Sequence, residues 1–511
     1  MKTMDKKKLF IYIISILLLI LLIISICPKS MQNDTFWSIK VGERLLNEGI
    51  FGLDTFSIHD NLYYIAQHFI TDILIYIIYS FMGFKGLYLL EILLTTVITG
   101  LLYILNKEVS KNKIIAYFMT VAQIVLLRGF IAVRAQMISY ILLIIELILL
   151  EKYRKNDKNK YIVGLAVIPI IIANFHMGVY PLFFVFLVVN IIGYFKIKFL
   201  CFETVEKSDK KRIKKLLLVL IIGIISSFIN PYFIDGVLYP FKTFGNEFIN
   251  TTIQEFKPYS VGFDGSIGLI YIGLITFIFI INKDKKIKVD DALLLAGTCF
   301  MSFSAIRYLC YYIICSYVSL KYLTSIINII NSRQYAKEDK KSIIYMFYIV
   351  FAIFSILIFI QKKCSIEDYI PKEEYPIVAT QELKKYLGEN SRVFNFYSWG
   401  SYLMLNNIKV YIDSRCDLYT KEYSKVEIAD DYNKITECDK DYKKIIDKYK
   451  LNLFIIPSDS QLATLLNTDI NFNKLFEDDV ACVYSISNWE CYKNITFFKK
   501  ICIINKKHCF F

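Results

Sequence analysis

The sequence contains few of the residues that break helices and strands. It has 20 glycines and 9 prolines among 511 residues, roughly half the usual share of these two residues. Collagen-like and disordered chains are therefore excluded. The twelve cysteines are scattered without a C-x-x-C pair, and the four histidines show no metal-ligand spacing. Neither a zinc site nor a disulfide framework is indicated.

Long apolar runs are the main feature that is present. Hydrophobic residues make up 56% of the chain, and they are gathered into runs of roughly 15–20 residues, which match the apolar thickness of a bilayer. Charged residues lie between these runs. The sequence therefore predicts an α-helical polytopic membrane protein, with candidate spans at 9–27, 62–82, 86–105, 113–128, 135–151, 161–175, 178–195, 216–230, 265–282, 292–306, 308–328 and 343–361.

The first run follows the basic segment MKTMDKKK. It is longer than the apolar region of a usual signal peptide, and no A-x-A-like cleavage site follows it. We therefore predict an uncleaved first span.

Basic residues set the expected orientation. The net charge is +14, and lysines and arginines cluster in short segments beside the apolar runs, including 107–113, 152–160 and 331–342. Such segments belong in the cytoplasm by the positive-inside rule, and their placement argues against a nucleic-acid partner. The pattern predicts a cytoplasmic N-terminus and an extracytoplasmic tail. That arrangement requires an odd number of crossings, so about 11 spans are expected and 62–82 is the run expected not to cross.

The sequence pattern of the tail is typical of a soluble domain. A helix is expected near 380–387 and an amphipathic helix near 438–450, whereas RVFNFY, KVYIDS and LNLFIIP have strand character. Alternation of helices and short strands predicts a small α/β domain with a largely parallel sheet. The expected domains are therefore a transmembrane domain at 1–361, which includes an outer loop at 28–61, and an extracytoplasmic α/β domain at 362–511.

The outer loop 28–61 contains two acids of interest, Asp34 and Asp54. A carboxylate at a membrane interface beside aromatic residues is partly desolvated, which raises its pKa toward the range of a general base. Asp34 fits this role, but position alone favours an N-cap of a helix that begins near Thr35, and the two roles are compatible. Asp54 fits either a turn or a direct role in the site.

Polar residues near the outer ends of the spans are further candidates, because buried polar groups in a bilayer are costly and usually face a cavity. The alternatives are snorkelling for Arg128 and helix–helix packing for Asn174. A phosphate or carboxylate would be the natural partner of Arg307. In the loop 230–264 three prolines, including Pro240, are expected to break helices. The candidates are His68, Arg128, Arg134, Asn174, His176 and Arg307, together with Glu255, which could line a substrate groove.

The order of several short motifs resembles the GT-C glycosyltransferase superfamily, in particular relatives of protein mannosyltransferases and lipid A aminoarabinose transferases. The resemblance extends to about residue 485. The motifs are Asp34-x-x-Trp37-x-x-Lys40-x-Gly42-Glu43, LDTFS, Arg134-x-Gln136, the N-x-H-x-G of Asn174 to Gly178, NPY at 230–232, the I-x-E-F of Ile253 to Phe256, WGSYL and YIDSRCDLY.

The resemblance implies a GT-C-like fold and a polyprenyl-phosphate-linked sugar donor used on the outer face of the membrane. It also implies that Asp34 is the catalytic base or, if a divalent metal is bound, a metal ligand. The sequence departs from the family in that Asn33 precedes Asp34, so a paired-acid motif is absent, and in that Gln67-His68-Phe69 stands where relatives often have an acid and Trp.

These observations lead to the hypothesis of a membrane glycosyltransferase that moves a sugar to a cell-envelope acceptor and inverts the configuration at the anomeric carbon. Asp34 would deprotonate the acceptor, and Arg307, Arg134 or Arg128 would stabilise the departing phosphate. In the tail, Trp399, Asp413 and Arg415 would bind the acceptor or close the cavity. The alternatives are a lipid or polysaccharide transporter and a non-catalytic envelope scaffold.

Overall fold

The computed structural model describes residues 6–204, 207–243, 247–258, 263–282, 286–323 and 368–487. They form two compact units. Unit 1 comprises the described residues of Met1–Lys29 and Ala66–Glu367, and unit 2 those of Ser30–Ile65 and Asp368–Phe511. The division differs from the expected one because the outer loop belongs to the same compact unit as the tail.

Unit 1 is a helical bundle. Each predicted run up to 292–306 coincides with helical residues for most of its length, except that the first seven residues of the run 62–82 precede a helix. The part of the run 308–328 that the structure describes, up to residue 323, is helical, whereas 324–328 and the run 343–361 lie outside the described residues. The helices are α1 (Lys6–Ile26), α3 (Phe69–Ser110), α4 (Lys113–Leu126), α5 (Ala135–Asn156), α6 (Asn159–Phe175), α7 (Tyr180–Ile192), α8 (Lys210–Ser226), α9 (Phe233–Thr243), α10 (Glu247–Thr252), α11 (Phe263–Ile281), α12 (Val289–Ser304) and α13 (Leu309–Cys315).

The surface of this bundle is apolar. Leu93, Ile225 and Phe277 are examples of large side chains that are exposed on the helices. Two segments, Phe69–Ser110 and Lys113–Phe130, are long and apolar enough to cross a membrane. Large apolar side chains that are exposed on many helices are costly in water and favourable in lipid, so the surface of unit 1 fits a membrane environment.

Helix α3 is interrupted at Gly83, where the backbone has φ +59° and ψ −154°. Only glycine adopts this conformation without steric cost. The interruption lies in the gap between the predicted runs 62–82 and 86–105.

The segment after α8 is more helical than expected. Pro240 lies inside α9, and the helix continues for three residues beyond it, so the prediction that this proline ends a helix is wrong. Proline removes one backbone hydrogen bond, which this short helix tolerates. A 3-10 turn, Gln254–Phe256, follows α10, and a small sheet joins β1 (Lys198–Phe199), β2 (Phe202–Glu203) and β3 (Ile287–Lys288).

Unit 2 contains a mixed sheet with the strand order β4-β5-β7-β6. Only the β4–β5 pair is parallel, so the prediction of a largely parallel sheet is wrong. The reason is local, since β6 and β7 are joined by three residues, and so short a connection permits only antiparallel pairing. The strands are β4 (Val393–Asn395), β5 (Leu453–Pro457), β6 (Phe472–Glu477) and β7 (Ala481–Ile486).

KVYIDS, which was predicted as a strand, is not one. Its backbone is bonded by a side chain, because Asn395 Oδ1 accepts from Tyr411 N at 2.8 Å and Asn395 Nδ2 donates to Ile412 O at 2.8 Å. These bonds replace the ladder that a strand would make. The remaining elements of unit 2 are the helices α2 (Asn33–Glu48), α14 (Ile377–Lys384), α15 (Gly400–Leu405), α16 (Lys421–Ser424), α17 (Ile428–Thr436), α18 (Tyr442–Lys448) and α19 (Gln461–Thr468).

Candidate functional site

In unit 1 the start of α3 is joined to the connection between α6 and α7. Met177 N donates to Gln67 O at 2.9 Å, and Thr71 Oγ1 donates to Phe175 O at 2.8 Å. These two bonds place His68, which immediately precedes α3, next to His176, which immediately follows α6. The ring centroids of the two histidines are 4.7 Å apart in an edge-to-face arrangement.

Both histidines are buried. His176 Nδ1 lies 2.7 Å from Ser139 Oγ of helix α5. The positive charges of Arg134 and Arg307 act on His68, so its environment contains two guanidinium groups.

The two arginines are held by the turn that contains Glu255. Arg134 donates to Glu255 Oε1 at 3.0 Å, and the guanidinium carbon of Arg307 lies 4.2 Å from the ring centroid of Phe256. Ile306 N donates to Lys257 O at 3.1 Å, which ties this turn to the residue before Arg307. We call His68, Ser139, His176, Arg134, Glu255 and Arg307 the His–Arg cluster.

The predicted residues of unit 1 thus fall into two groups. His68, Arg134, His176, Glu255 and Arg307 come together, whereas Arg128 is exposed on a 3-10 turn. Asn174 Nδ2 donates to Ile170 O at 2.8 Å and to Ile229 O at 2.7 Å. These contacts favour the helix-packing alternative for Asn174.

The sequence did not identify Ser139 as a site residue, nor the contact between the ring of Phe256 and the guanidinium of Arg307. Ser139 lies five residues after Arg134 in an otherwise apolar stretch of α5, QMISYILLII. A buried hydroxyl in a membrane helix usually finds a partner. That signal was present in the sequence, but its partner, His176, is 37 residues away.

In unit 2 Asp34 lies in the first turn of α2 and is half-buried. The helix begins at Asn33, and Gln32 occupies the cap position without a side-chain cap hydrogen bond, so the N-cap interpretation of Asp34 is wrong. The helix begins two residues before the expected start near Thr35, and helix ends are located less well than helix interiors. Trp37 Nε1 donates to Asp34 Oδ1 at 3.3 Å, and a carboxylate in the first turn is favoured by the helix dipole.

Metal ligands are few around Asp34. The neighbouring Asn33 Oδ1 accepts from Tyr375 Oη at 3.2 Å, so this oxygen already has a partner. Among the described residues no group of three or more His, Cys, Asp or Glu side chains could hold a metal ion. The described donor set around Asp34 does not fit a divalent metal.

Asp54 and Arg415 form a buried ion cluster with Asp413. Arg415 Nη1 donates to Asp54 Oδ1 at 2.6 Å, and Arg415 Nε and Nη2 donate to the two oxygens of Asp413 at 2.9 and 2.6 Å. Tyr419 Oη donates to Asp413 at 2.5 Å. This bidentate geometry satisfies both carboxylates.

Burial alone would raise the pKa of Asp54, but the charge of Arg415 and hydrogen bonds from Ser57 and Arg415 hold this pKa below its ordinary value. Trp399, another candidate, is buried and donates from Nε1 to Glu374 O at 2.8 Å. The geometry of Asp54, Asp413, Arg415 and Trp399 favours a role in holding unit 2 together over a role in binding substrate.

Comparison with solved structures identifies the fold. ArnT from Cupriavidus metallidurans bound to undecaprenyl phosphate matches with a TM-score of 0.57 at 10% sequence identity, covering 94% of this chain and 98% of that one. The apo oligosaccharyltransferase of Archaeoglobus fulgidus matches with a TM-score of 0.55 at 11% identity, covering 86% of this chain and 69% of that one. The chain has a GT-C fold.

A third structure with the GT-C fold, the oligosaccharyltransferase AglB from Archaeoglobus fulgidus in complex with an inhibitory peptide and a dolichol-phosphate, matches with a TM-score of 0.51 at 10% identity over 94% of this chain and 75% of that one. No family model and no curated protein matches the chain. The resemblance seen in the sequence motifs is therefore confirmed at the level of the fold.

Proposed function

We propose that this protein is a membrane glycosyltransferase that transfers a sugar from a polyprenyl-phosphate-linked donor to a cell-envelope acceptor on the outer face. Similarity of its fold to ArnT bound to undecaprenyl phosphate and to AglB in complex with a dolichol-phosphate supports a lipid phosphate as part of the donor. The apolar helices of unit 1 suit the prenyl chain.

The observation that carries the proposal is the environment of the Arg307 guanidinium. Among the described residues, no carboxylate lies within 4.0 Å of its guanidinium, and Phe256 supports the guanidinium from one face. Arg134 lies in the same cluster and is buried. A partly buried arginine without a carboxylate partner favours a phosphate ligand, since the planar guanidinium matches phosphate oxygens in a bidentate manner.

In the proposed reaction Asp34 accepts the proton of the acceptor hydroxyl. The acceptor oxygen then forms a bond to the anomeric carbon, while the bond from that carbon to the phosphate oxygen breaks. The electron pair of the broken bond stays on the lipid phosphate, whose negative charge the arginines stabilise. Attack opposite to the leaving phosphate inverts the configuration of the sugar.

Turnover by the purified full chain, with a panel of undecaprenyl-phosphate-linked hexoses as donors, tests the proposal. Asp34→Asn should keep the melting temperature and lower turnover about a hundredfold or more, because an amide cannot accept the proton. Asp60→Asn is the matched control, since Asp60 is an exposed acid of the same loop. Normal turnover of Asp34→Asn would remove Asp34 as the base, and lipid binding without turnover by the unmodified protein would favour a scaffold or transporter.

A further inference from the structure

We propose that Glu255 occupies the phosphate position at Arg134 until the donor lipid binds, so that its carboxylate competes with the donor. This inference rests on the proposed function and adds a regulatory contact to the same site. It starts from the pairing pattern within the His–Arg cluster, where one arginine has a carboxylate partner and the other has none among the residues that the structure describes.

The two arginines differ in their need for a counter-charge. Arg134 is only 8% exposed and forms its ion pair with Glu255, whose side chain is 39% exposed. A buried guanidinium without a counter-charge is costly, whereas a half-exposed carboxylate returns to water at little cost. The pair is therefore suited to exchange, because an incoming phosphate replaces the charge that Arg134 requires and Glu255 is solvated when it leaves.

The same turn also supports the second arginine. Glu255 and Phe256 are adjacent in the 3-10 turn Gln254–Phe256, and Phe256 lies under the guanidinium of Arg307. The bond from Ile306 N to Lys257 O couples the turn to the backbone beside Arg307. Release of Glu255 from Arg134 therefore acts on a segment that both arginines contact.

Competition between Glu255 and the lipid phosphate predicts that neutralising Glu255 increases the affinity for the lipid phosphate. If Arg134 is paired with Glu255 for about nine-tenths of the time, only about a tenth of the protein is competent to bind, and Glu255→Gln should lower the Kd for the lipid phosphate about tenfold. A role of Glu255 that is confined to folding, or to direct contact with the donor, predicts the opposite change in affinity.

The experiment measures the Kd of undecaprenyl phosphate for the purified full chain in detergent, by a direct binding method that needs no turnover. The variants are Glu255→Gln, Glu255→Ala, Arg134→Gln, Arg307→Ala and the double variant Arg134→Gln/Glu255→Gln. Glu108→Gln is the matched control, because Glu108 pairs with Lys155 at 2.8 Å near the opposite end of α3. Melting temperatures are measured for every variant.

Tighter binding by both Glu255 variants supports the inference, as does loss of that gain in the double variant, while Glu108→Gln should bind like the unmodified protein. Unchanged or weaker binding by both folded Glu255 variants overturns it, and the proposed function survives if the unmodified protein binds the lipid in an Arg307-dependent manner. Absence of binding by the unmodified protein and by both Glu255 variants would contradict the inference and the proposed function together.

Discussion

Arg415 and Asp54 form an ion pair of 2.6 Å across 361 residues of sequence, with both side chains almost completely buried. The pair joins the loop after the first helix to the tail segment YIDSRCDLY. Two further contacts follow the same path, since Ile58 N donates to Val410 O at 2.8 Å and Val410 N donates to Phe56 O at 3.1 Å. The loop is therefore an integral part of unit 2.

Asp54→Asn should destabilise unit 2 by about 3–5 kcal/mol, because it leaves the buried charge of Arg415 with one partner fewer. The measurement is chemical unfolding of the full chain, followed by the fluorescence of its three tryptophans. Glu43→Gln is the control, since Glu43 pairs with Lys40 at the surface of the same unit and such pairs contribute about 0–1 kcal/mol. Equal effects of the two variants would show that the buried pair is not a structural contact.

Stability of unit 2 should fall as the pH decreases from about 6.5 to about 4. His59 is buried, its Nε2 lies 2.7 Å from Tyr411 O, and burial lowers its pKa from 6.5 to about 4. The folded state binds this proton less readily than the unfolded state, so falling pH favours unfolding, by roughly 2–3 kcal/mol at the acidic end. The unfolding free energy, measured between pH 7.5 and 4.5, should depend less on pH in His59→Gln. Identical pH profiles for the two proteins would contradict this assignment.

Gly400→Ala should destabilise unit 2 by about 2 kcal/mol or more, because overpacking forces the backbone to move. A Cβ atom at this position would lie 2.1 Å from Ile412 O and 2.6 Å from Asp413 Cα. Gly388→Ala is the control, since no atom lies within 4 Å of its added Cβ. The comparison of melting temperatures checks the prediction, and an unchanged value for Gly400→Ala would mean that helix α15 does not approach Ile412 so closely.

Arg307→Ala should weaken binding of undecaprenyl phosphate about tenfold or more while the protein remains folded, because a charge-assisted hydrogen bond to phosphate contributes about 1.5–3 kcal/mol. The side chain makes no ion pair within 4.0 Å among the described residues, so its removal costs little stability beyond the contact with Phe256. Arg128→Ala is the control, because Arg128 is exposed. Equal affinities of the Arg307 and Arg128 variants would place the phosphate elsewhere.

Part of the candidate site could be predicted from sequence, because polar residues are rare in membrane helices and therefore stand out. His68, His176, Arg134 and Arg307 are polar residues at the ends of apolar runs, and the cost of such residues in a bilayer makes them recognisable. The pairing between them could not be predicted. Arg134 and Glu255 are 121 residues apart, and no local periodicity specifies which outer ends meet.

The same limit explains the residues whose interpretation changed. Arg415 has the appearance of a site residue in sequence, whereas Asp54 is expected in a turn or in the site, and Ser57 N donates to Asp54 Oδ2 at 2.9 Å as a turn requires. Only the structure shows that Arg415 and Asp54 satisfy each other. Similarly, KVYIDS has the β-branched and aromatic composition of a strand, but its backbone bonds to the side chain of Asn395 and, at Val410, to Phe56 and Ile58, which lie in other parts of the chain.

The sequence by itself determined the membrane class of the protein and the positions of most of the described helices of unit 1, with α9 and α10 as exceptions. These depend on a local property, namely the length of an apolar run. Tertiary structure alone decided that the loop Ser30–Ile65 belongs with the tail and that polar residues at the ends of several helices form one His–Arg cluster. Both outcomes arise from contacts between distant segments, whose free energy depends on packing geometry and desolvation and not on neighbouring residues in the chain.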